Sequence, residues 1–374
     1  MTETGHTNQA REGHMFWHTA IAAIGLSSFG GGTAGPTPAA HVQVDAEPGR
    51  VVVTIGPLHI AAGTHYHHEG AAEHAGFTWP EDGWIQGYRI DVLDASAAVM
   101  PRETIHHAGV ANLSRRQLAY PTAQRLFAVG RETHAVTLPD WMGMRMSTGE
   151  ELIAYFALVN ESGTPVEGAS LRITLDWRPA RVESLSSPSM FVGRGAHPAY
   201  RFRRWESGVT EVVPLVLNAN PNQGGETQFD VGPGISVVST EVVLPLGGYL
   251  RVAGGHMHDY ASEMRLEEVE TGEVLIRLEA ERKPDGRLIR VEEERFPFKL
   301  HGVRLEAGRR YRVVGVYDNP TGELLPKSGM AYLAGAFIPD DMDAWPELET
   351  DDARYARDLA GITGEEAPHG HAAP

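Results

Sequence analysis

From Val51 onward, short runs rich in apolar and β-branched residues recur along the chain, and most are bounded by Gly, Pro, Asn or Asp. They include residues 51–55, 152–159, 171–175, 212–217 and 235–244. Side chains of a strand point alternately to its two faces, so such runs, with turn residues every 8–12 positions or so, predict antiparallel sandwiches. Because the runs are numerous enough for two sandwiches, we predict an all-β protein of two tandem antiparallel, jelly-roll-like β-sandwich domains.

Residues 273–296 predict a hairpin, because two alternating runs flank the turn sequence Lys-Pro-Asp-Gly-Arg at 283–287. Helical spacing is confined to residues 117–128 and 342–359, so these two segments are the candidate helices.

The predicted organisation has four parts. Residues 1–45 form a signal-like leader, 46–180 an N-terminal sandwich, 181–340 a C-terminal sandwich and 341–374 an acidic tail. In the leader, Arg11 precedes an apolar stretch over 15–26 and small residues follow, which loosely fits an export signal. Export to a periplasmic or extracellular location is therefore one expectation, and a disordered leader on a protein that stays in the cytoplasm is the alternative.

Composition excludes several classes of function. The chain carries 32 Lys and Arg against 49 Asp and Glu, a formal charge of −17, which argues against a nucleic-acid partner. It has no Cys, so disulfide scaffolds, thiolate metal sites and Cys nucleophiles are excluded. No run of 18 apolar residues occurs, so no integral membrane segment is expected.

Histidine is the most informative residue type, with 18 in the chain. His256 and His258 follow a strand-like segment, and residues i and i+2 of a strand face the same way, so both imidazoles can reach one ion. The strand-like segment 329–334 can add the thioether of Met330, and two imidazoles with a thioether suit copper, especially Cu(I). The alternative is that both His lie on a polar surface and Met330 lies in the core.

His106 and His107 are adjacent, and neighbouring residues of a regular strand face opposite ways. Both can therefore bind one metal ion only if the strand bulges or twists there. The alternative is one inward and one outward His. A third group, His65, His67 and His68, lies between glycines in a predicted loop, either as ligands or as a solvated segment.

In their order along the chain, these motifs resemble the copper type II, ascorbate-dependent monooxygenases, the family of peptidylglycine α-hydroxylating monooxygenase and dopamine β-monooxygenase. The resemblance covers about residues 51–338. It rests on His106-His107, then the segments at 125–130, 138–139 and 154–159, then His256-x-His258 and Gly329-Met330.

The resemblance implies two β-sandwich domains that face each other across a cleft, each with one copper. His256, His258 and Met330 match the oxygen-activating site, and His106 and His107 match two ligands of the electron-transfer site. It further implies hydroxylation of a C–H bond of a small organic substrate, with O2 as oxidant and ascorbate as electron donor.

Three departures from the family pattern stand out. The third ligand of the first site falls at Asn160, a hard oxygen donor that suits Cu(I) poorly, so His59, His65, His67, His68 and His134 are candidate replacements. The positions that hold the substrate carboxylate in the peptide-amidating enzymes are Gly254 and Ala334, which argues against peptide amidation. The family's disulfides are missing.

Two other functions stay open at this stage. One is a copper carrier or sensor on the same scaffold, which loads from a copper-delivery partner. The other is an interaction module in which Trp84, Trp141 and Trp205 contact a ligand. For the copper reading, we expect Asp259 and Tyr260, which follow His258 directly, to orient the imidazoles.

Overall fold

The structure is a computed structural model, and it describes residues 41–47, 49–63, 73–130, 133, 135–180, 209–220, 228–296 and 302–363. The predicted export-like stretch, the Ser-rich segment after the first sandwich and the end of the acidic tail lie outside these residues, as do His65, His67, His68, His134 and Trp205.

Ten strands form before residue 180. They are β1 (His41–Glu47), β2 (Arg50–Ile60), β3 (Glu73–Thr78), β4 (Gly83–Leu93), β5 (Ile105–Arg116), β6 (Ala123–Gly130), β7 (Ala135–Thr137), β8 (Met142–Met146), β9 (Glu151–Leu158) and β10 (Val166–Pro179). A short 3-10 turn over Arg102–Thr104 precedes β5.

The later strands are β11 (Thr210–Glu211), β12 (Val213–Asn218), β13 (Phe229–Val231), β14 (Gly234–Val243), β15 (Gly248–Met257), β16 (Ala261–Glu268), β17 (Val274–Arg282), β18 (Leu288–Val291), β19 (Glu294–Arg295), β20 (Val303–Leu305), β21 (Arg310–Asn319), β22 (Leu325–Gly329) and β23 (Ala331–Pro339). A 3-10 turn over Met342–Ala344 and the helix α1 (Ala353–Thr363) follow them.

The strands before residue 180 make two sheets. One has the order β1-β2-β10-β4-β8, with β7 beside β4, and the later strand β11 extends it beside β8; the other has the order β3-β9-β5-β6. In the second half, β12-β23-β15-β19 with β20 beside β15 forms one sheet, β14-β21-β16-β17-β18 another, and β13-β22 a small third. The prediction of an all-β fold of antiparallel sheets is confirmed. The hairpin is confirmed too, because β17 and β18 pair across the turn at 283–287.

Each half has its own apolar core, and the alternation along the strands explains it. On β2, Val51, Val53 and Ile55 are fully buried and point into the first core. On β12, Val213, Leu215 and Leu217 are buried alternately with half-exposed neighbours and point into the second core. The burial of one face of each strand is the main force that holds each sandwich together.

The prediction of a helix over 117–128 is wrong. This segment is a turn followed by β6, and its apolar residues contact the other half of the molecule. Leu118 packs into the second core, and the Tyr120 hydroxyl accepts a hydrogen bond from the Asn218 amide at 3.1 Å. The helical spacing of these residues therefore reflects contact between the halves and not a helix face.

The two halves are joined at several places. The strand β11 adds in parallel to β8, and Val212, Ala336 and Ile338 pack into the first core. Within the tail segment, helix is confined to α1, which lies on the first half: Tyr355 and Ile362 pack against Ile153. None of the helices described is both long enough and apolar enough to span a membrane.

Candidate metal centre

His256 and His258 lie at the end of β15, in the arrangement that their spacing predicts. Between them Met257 is fully buried in the second core, so the two imidazoles point to the opposite face. Their ring centroids are 5.3 Å apart, and the rings are nearly perpendicular at 84°. His258 is 2% exposed and begins the tight turn into β16, in which the Ala261 amide donates to the His258 carbonyl.

His106 and His107 lie at the start of β5, where the pairing with β9 is irregular. Ile105 pairs with Leu158 and His107 pairs with Ala157, so the register shifts by one residue between them. An extra residue in a strand turns successive side chains toward the same side. The two imidazoles accordingly lie together, with ring centroids 4.8 Å apart. The bulge that the sequence required for a shared site is present.

The two histidine pairs meet across the boundary between the halves. The ring of His106 lies 5.6 Å from that of His258, so the order His107, His106, His258, His256 is a continuous row of neighbouring imidazoles. We call these four residues the histidine row. The resemblance implies two copper sites separated by a cleft, whereas here the two pairs are in direct contact.

The spacing of the row suits shared metal coordination. An imidazole nitrogen binds Zn²⁺ at about 2.0–2.1 Å, and copper bonds are of similar length, so two ligands at a tetrahedral angle have centroids roughly 5 Å apart. The three separations of 4.8, 5.6 and 5.3 Å are all close to that value. As the side chains stand, however, no group of three or more His, Asp or Glu residues in the described part of the chain is arranged so that it could hold a metal ion. Metal binding would therefore require the imidazoles to rotate about their side-chain torsions.

Met330 lies between β22 and β23, level with His258. The antiparallel register pairs His256 with Tyr332 and Met257 with Ala331, and its continuation places Met330 opposite His258. Residues directly opposite on antiparallel strands have Cβ atoms about 4.5–5.5 Å apart and share a face. Met330 is 7% exposed, so its thioether is held inside the molecule.

A buried tyrosine that the sequence analysis missed fixes this arrangement. The Tyr317 hydroxyl accepts hydrogen bonds from the backbone amides of His258, at 3.2 Å, and Met330, at 3.0 Å, and it donates to the Met330 carbonyl. Tyr317 is fully buried. One hydroxyl thus ties the end of β15 to the residue before β23, and its only signal in the sequence is an aromatic position in a buried strand.

Asp259 and Tyr260 have other contacts. The Asp259 carboxylate accepts a hydrogen bond from the Leu288 amide at 2.8 Å, and the Tyr260 ring packs against Gly286 in the hairpin turn. Both residues hold the hairpin in place. The expectation that they orient the imidazoles gains no support from these contacts.

The side chain of Asn160 forms the hydrogen bonds of a turn. Its side-chain amide donates to the Thr164 carbonyl at 2.9 Å, and its side-chain oxygen accepts from the Ser162 amide and hydroxyl. Asn319 in the second half makes the same set of bonds, to the Glu323 carbonyl and from the Thr321 amide and hydroxyl. These Asx turns close equivalent corners of the two halves.

Of the candidate replacement ligands, only His59 is described. Its Nδ1 lies 2.7 Å from Glu167 Oε1, and both side chains are well exposed, at 42% and 71%. Among the described residues, the imidazole of His258, which comes from the other half, lies next to His106.

Residues with small side chains lie on one side of the histidine row, and an aromatic residue lies on the other. Gly254 and Ala334 are cross-strand partners, and a Cβ added to Gly254 would meet only the Glu293 side chain, at 4.0 Å. Tyr332 is the cross-strand partner of His256, and burial raises the pKa of its hydroxyl while Arg125 opposes that shift. The hydroxyl is therefore protonated at neutral pH.

The two described tryptophans, Trp84 and Trp141, give little support to a role as ligand contacts. Trp84 is 2% exposed, so its ring is not available to a ligand. Trp141 is half-buried, and the Arg251 guanidinium lies 5.4 Å from its ring centroid.

No protein family and no curated protein matches the sequence. Among solved structures, the STIV MCP matches with a TM-score of 0.38 and 10% identity over 84% of this chain and 99% of that chain. PNGF-II in a C2 crystal form matches with a TM-score of 0.32 and 10% identity over 72% of this chain and 59% of that chain. Likenesses of this size carry no inference about activity.

Proposed function

We propose that the protein is a copper-dependent oxidoreductase of the monooxygenase type, which hydroxylates a C–H bond of a small organic substrate. The observation that carries the proposal is the histidine row, in which the ring of His106 from one half lies 5.6 Å from the ring of His258 of the other. When bound, copper would supply one-electron redox chemistry with O2 and a reductant such as ascorbate.

The residues of the row fit copper by their chemistry. Neutral imidazoles bind both Cu(I) and Cu(II), and the thioether of Met330 favours Cu(I). His106 and His258 are each 2% exposed, so the row excludes water on its inner side. Tyr317 fixes the backbone at His258 and Met330, which lowers the entropy lost when these side chains take up an ion.

The same geometry bears on the substrate. Gly254 and Ala334 face each other without a cationic or hydroxyl group, and Glu293 lies beside them. The guanidinium of Arg295 lies 2.6 Å from the Glu293 carboxylate, so a substrate carboxylate would have to compete with that ion pair. We therefore propose a substrate without a carboxylate at the reacting end.

A copper carrier or sensor is the second candidate, and the contact between the two pairs favours it. Rings 5.6 Å apart can share one ion, and a carrier needs only one. A delivery partner would then exchange copper with the row.

The first test is copper per chain, measured by elemental analysis after anaerobic loading with Cu(I), for wild type, Met330→Leu, His106→Ala, His258→Ala and the double His variant. His59→Ala is the matched control, since His59 lies outside the row. We expect each variant of the histidine row and Met330→Leu to lower copper affinity by about 100-fold or more, because loss even of a residue that only contacts a metal ligand lowers affinity by about 10–100-fold.

If the row is one centre, the two His substitutions will be strongly non-additive, because either one removes a ligand of the same ion. Independent loss of one copper in each variant would indicate two separate sites. Absence of copper binding in the folded wild type would refute the proposal. Oxygen consumption with ascorbate over a panel of uncharged substrates then separates the enzyme from the carrier, which consumes none beyond the rate of free copper.

A further inference from the structure

The strand β14 is an edge of its sheet, and its outer side chains are apolar and exposed. Among the described strands, β21 alone pairs with it. Ile235 is 75% exposed and Val237 is 61% exposed, on a strand that has no charged residue from Gly234 to Thr240. Burial of this surface would be favourable, and no described strand other than β21 pairs with the backbone groups of β14.

Two other edges in the described part of the molecule, β18 and β12, carry the usual protection. The opposite edge of the same sheet, β18, has Arg290, which pairs with Glu281 at 2.6 Å. In the facing sheet the edge strand β12 contains Pro214, which lacks an amide donor. Natural proteins use such charges and prolines to prevent pairing between sheet edges. The uncharged part of β14 has neither.

We propose that β14 pairs in antiparallel fashion with β14 of a second copy of this chain and forms a two-fold dimer with a sheet continuous across the interface. Such pairing is self-complementary, as a two-fold interface requires. The uncharged segment Gly234–Thr240 has Val237 at its midpoint, so the axis passes beside Val237. Ile235 then lies opposite Ser239 of the second copy.

The charges at the ends of the strand agree with this register. Glu241 falls opposite Pro233 of the second copy, beyond the paired segment, and not opposite another Glu241. It is already neutralised within its own sheet by Arg312 at 2.7 Å and Arg310 at 3.3 Å. Pro233 has no amide hydrogen and ends the pairing at that point.

Disulfide trapping tests the register directly, because the chain contains no Cys. Residues opposite each other on antiparallel strands have Cα atoms about 4.5–5.5 Å apart, within the range that a disulfide spans. In Val237→Cys, mild oxidation should therefore cross-link most of the protein as a dimer. Val99→Cys is the matched control, because Val99 is 60% exposed but lies outside β14, and it should cross-link only by random collision.

Sedimentation over a concentration series supplies the second measurement. Wild type should show a monomer–dimer equilibrium, and Val237→Lys should shift it by at least about tenfold toward monomer, because two like charges would face each other at the axis. Val99→Lys should leave it unchanged. The two substitutions are at exposed positions, so circular dichroism should show both variants folded. A wild type that stays monomeric to its solubility limit, or equal cross-linking of the two Cys variants, would overturn the proposal.

Discussion

The two histidine pairs lie in the same row but depend on different features of the chain. His256 and His258 share a face because strands repeat every two residues, and Met257 between them anchors the strand in the second core. His106 and His107 share a side only because β5 contains a one-residue register shift against β9. One pair follows from spacing alone, whereas the other needs an irregularity of the backbone.

This difference shows what local sequence can specify. A period of two is a property of any strand, so a His-x-His motif at a strand end predicts a shared face without knowledge of the partners. A bulge depends on the register of both neighbouring strands and has no local signature here. The meeting of the two pairs depends further on how the halves pack.

The largest expected loss of stability comes from breaking the ion pair that fixes helix α1 to the first half. Arg125 binds Asp358 through two contacts of 2.6 and 3.0 Å, and both side chains are largely buried, at 17% and 15% exposure. Asp358→Asn leaves the guanidinium without its countercharge, which typically costs about 3–5 kcal/mol. Chemical denaturation should show this loss, together with weaker copper binding if α1 keeps the halves in contact.

Asp352→Asn is the control for that comparison. Asp352 caps the start of α1, where its carboxylate accepts from the Arg354 amide at 2.7 Å, and Asn caps helices equally well. We expect a change below about 0.5 kcal/mol. Equal losses in the two variants would show that the buried pair has no special role.

Tyr317→Phe should affect the second pair more than the first. It removes the hydroxyl shared by His258 and Met330 and leaves buried backbone groups without that partner, at a cost of about 1–3 kcal/mol. Tyr311→Phe is the matched control, because Tyr311 lies at the other end of β21 from Tyr317 and its hydroxyl likewise accepts a backbone hydrogen bond, from the Glu306 amide.

Both tyrosine variants should lose comparable stability, whereas copper affinity and the X-ray absorption signature of a thioether ligand should change only in Tyr317→Phe. If copper affinity falls equally in both, Tyr317 acts through general stability and not through the position of Met330.

Two glycines, one near each histidine pair, allow the surroundings of the pairs to be compared, with smaller expected effects on stability. A Cβ on Gly109 would lie 2.5 Å from the Tyr155 hydroxyl, whereas one on Gly254 would meet nothing closer than 4.0 Å. Gly109→Ala should therefore destabilise the protein by about 1–3 kcal/mol, as overpacking usually does. Gly254→Ala should be nearly neutral in thermal unfolding. A neutral Gly109→Ala would mean that Tyr155 moves freely.

The smallest effects are changes in the pH dependence of stability, and they concern the first half alone. Burial raises the pKa of Glu73, although His59 opposes the shift. Glu73 therefore contributes stability below its unfolded-state pKa that is lost as pH rises through its folded-state pKa. Glu73→Gln should be slightly more stable than wild type at neutral pH and equal to it in acid.

Asp82 should behave in the opposite way. Hydrogen bonds from the Thr148 amide and hydroxyl lower the pKa of its carboxyl. The resulting stability is present above the unfolded-state pKa and is lost as pH falls through the folded-state pKa. Asp82→Asn should be slightly less stable at neutral pH, with no difference in strong acid. The same sign for both variants in a pH series of melting curves would contradict these assignments.

Most of the fold could be predicted from the sequence, because alternation and turn residues define strands locally. The hairpin at 273–296 and the face shared by His256 and His258 followed in the same way. The helix predicted at 117–128 failed because Leu118 and Tyr120 contact the second half, a constraint that no window of sequence contains. Asn160 and Asn319 show a second limit of sequence analysis. Both side chains form the same kind of Asx turn, but only the hydrogen bonds in the structure reveal this.

Because His106 and His258 belong to different halves of the chain, the contact between them can form only after both halves have been synthesised. The first half leaves the ribosome with its histidine pair but without the imidazole that lies beside it, because His258 belongs to a domain made later. The helix α1, which is bound to the first half through Arg125 and Asp358, comes later in the chain than every described strand. A nascent chain that has not reached His256 therefore holds only half of the row, and the contact between the two pairs forms only after both halves have been made.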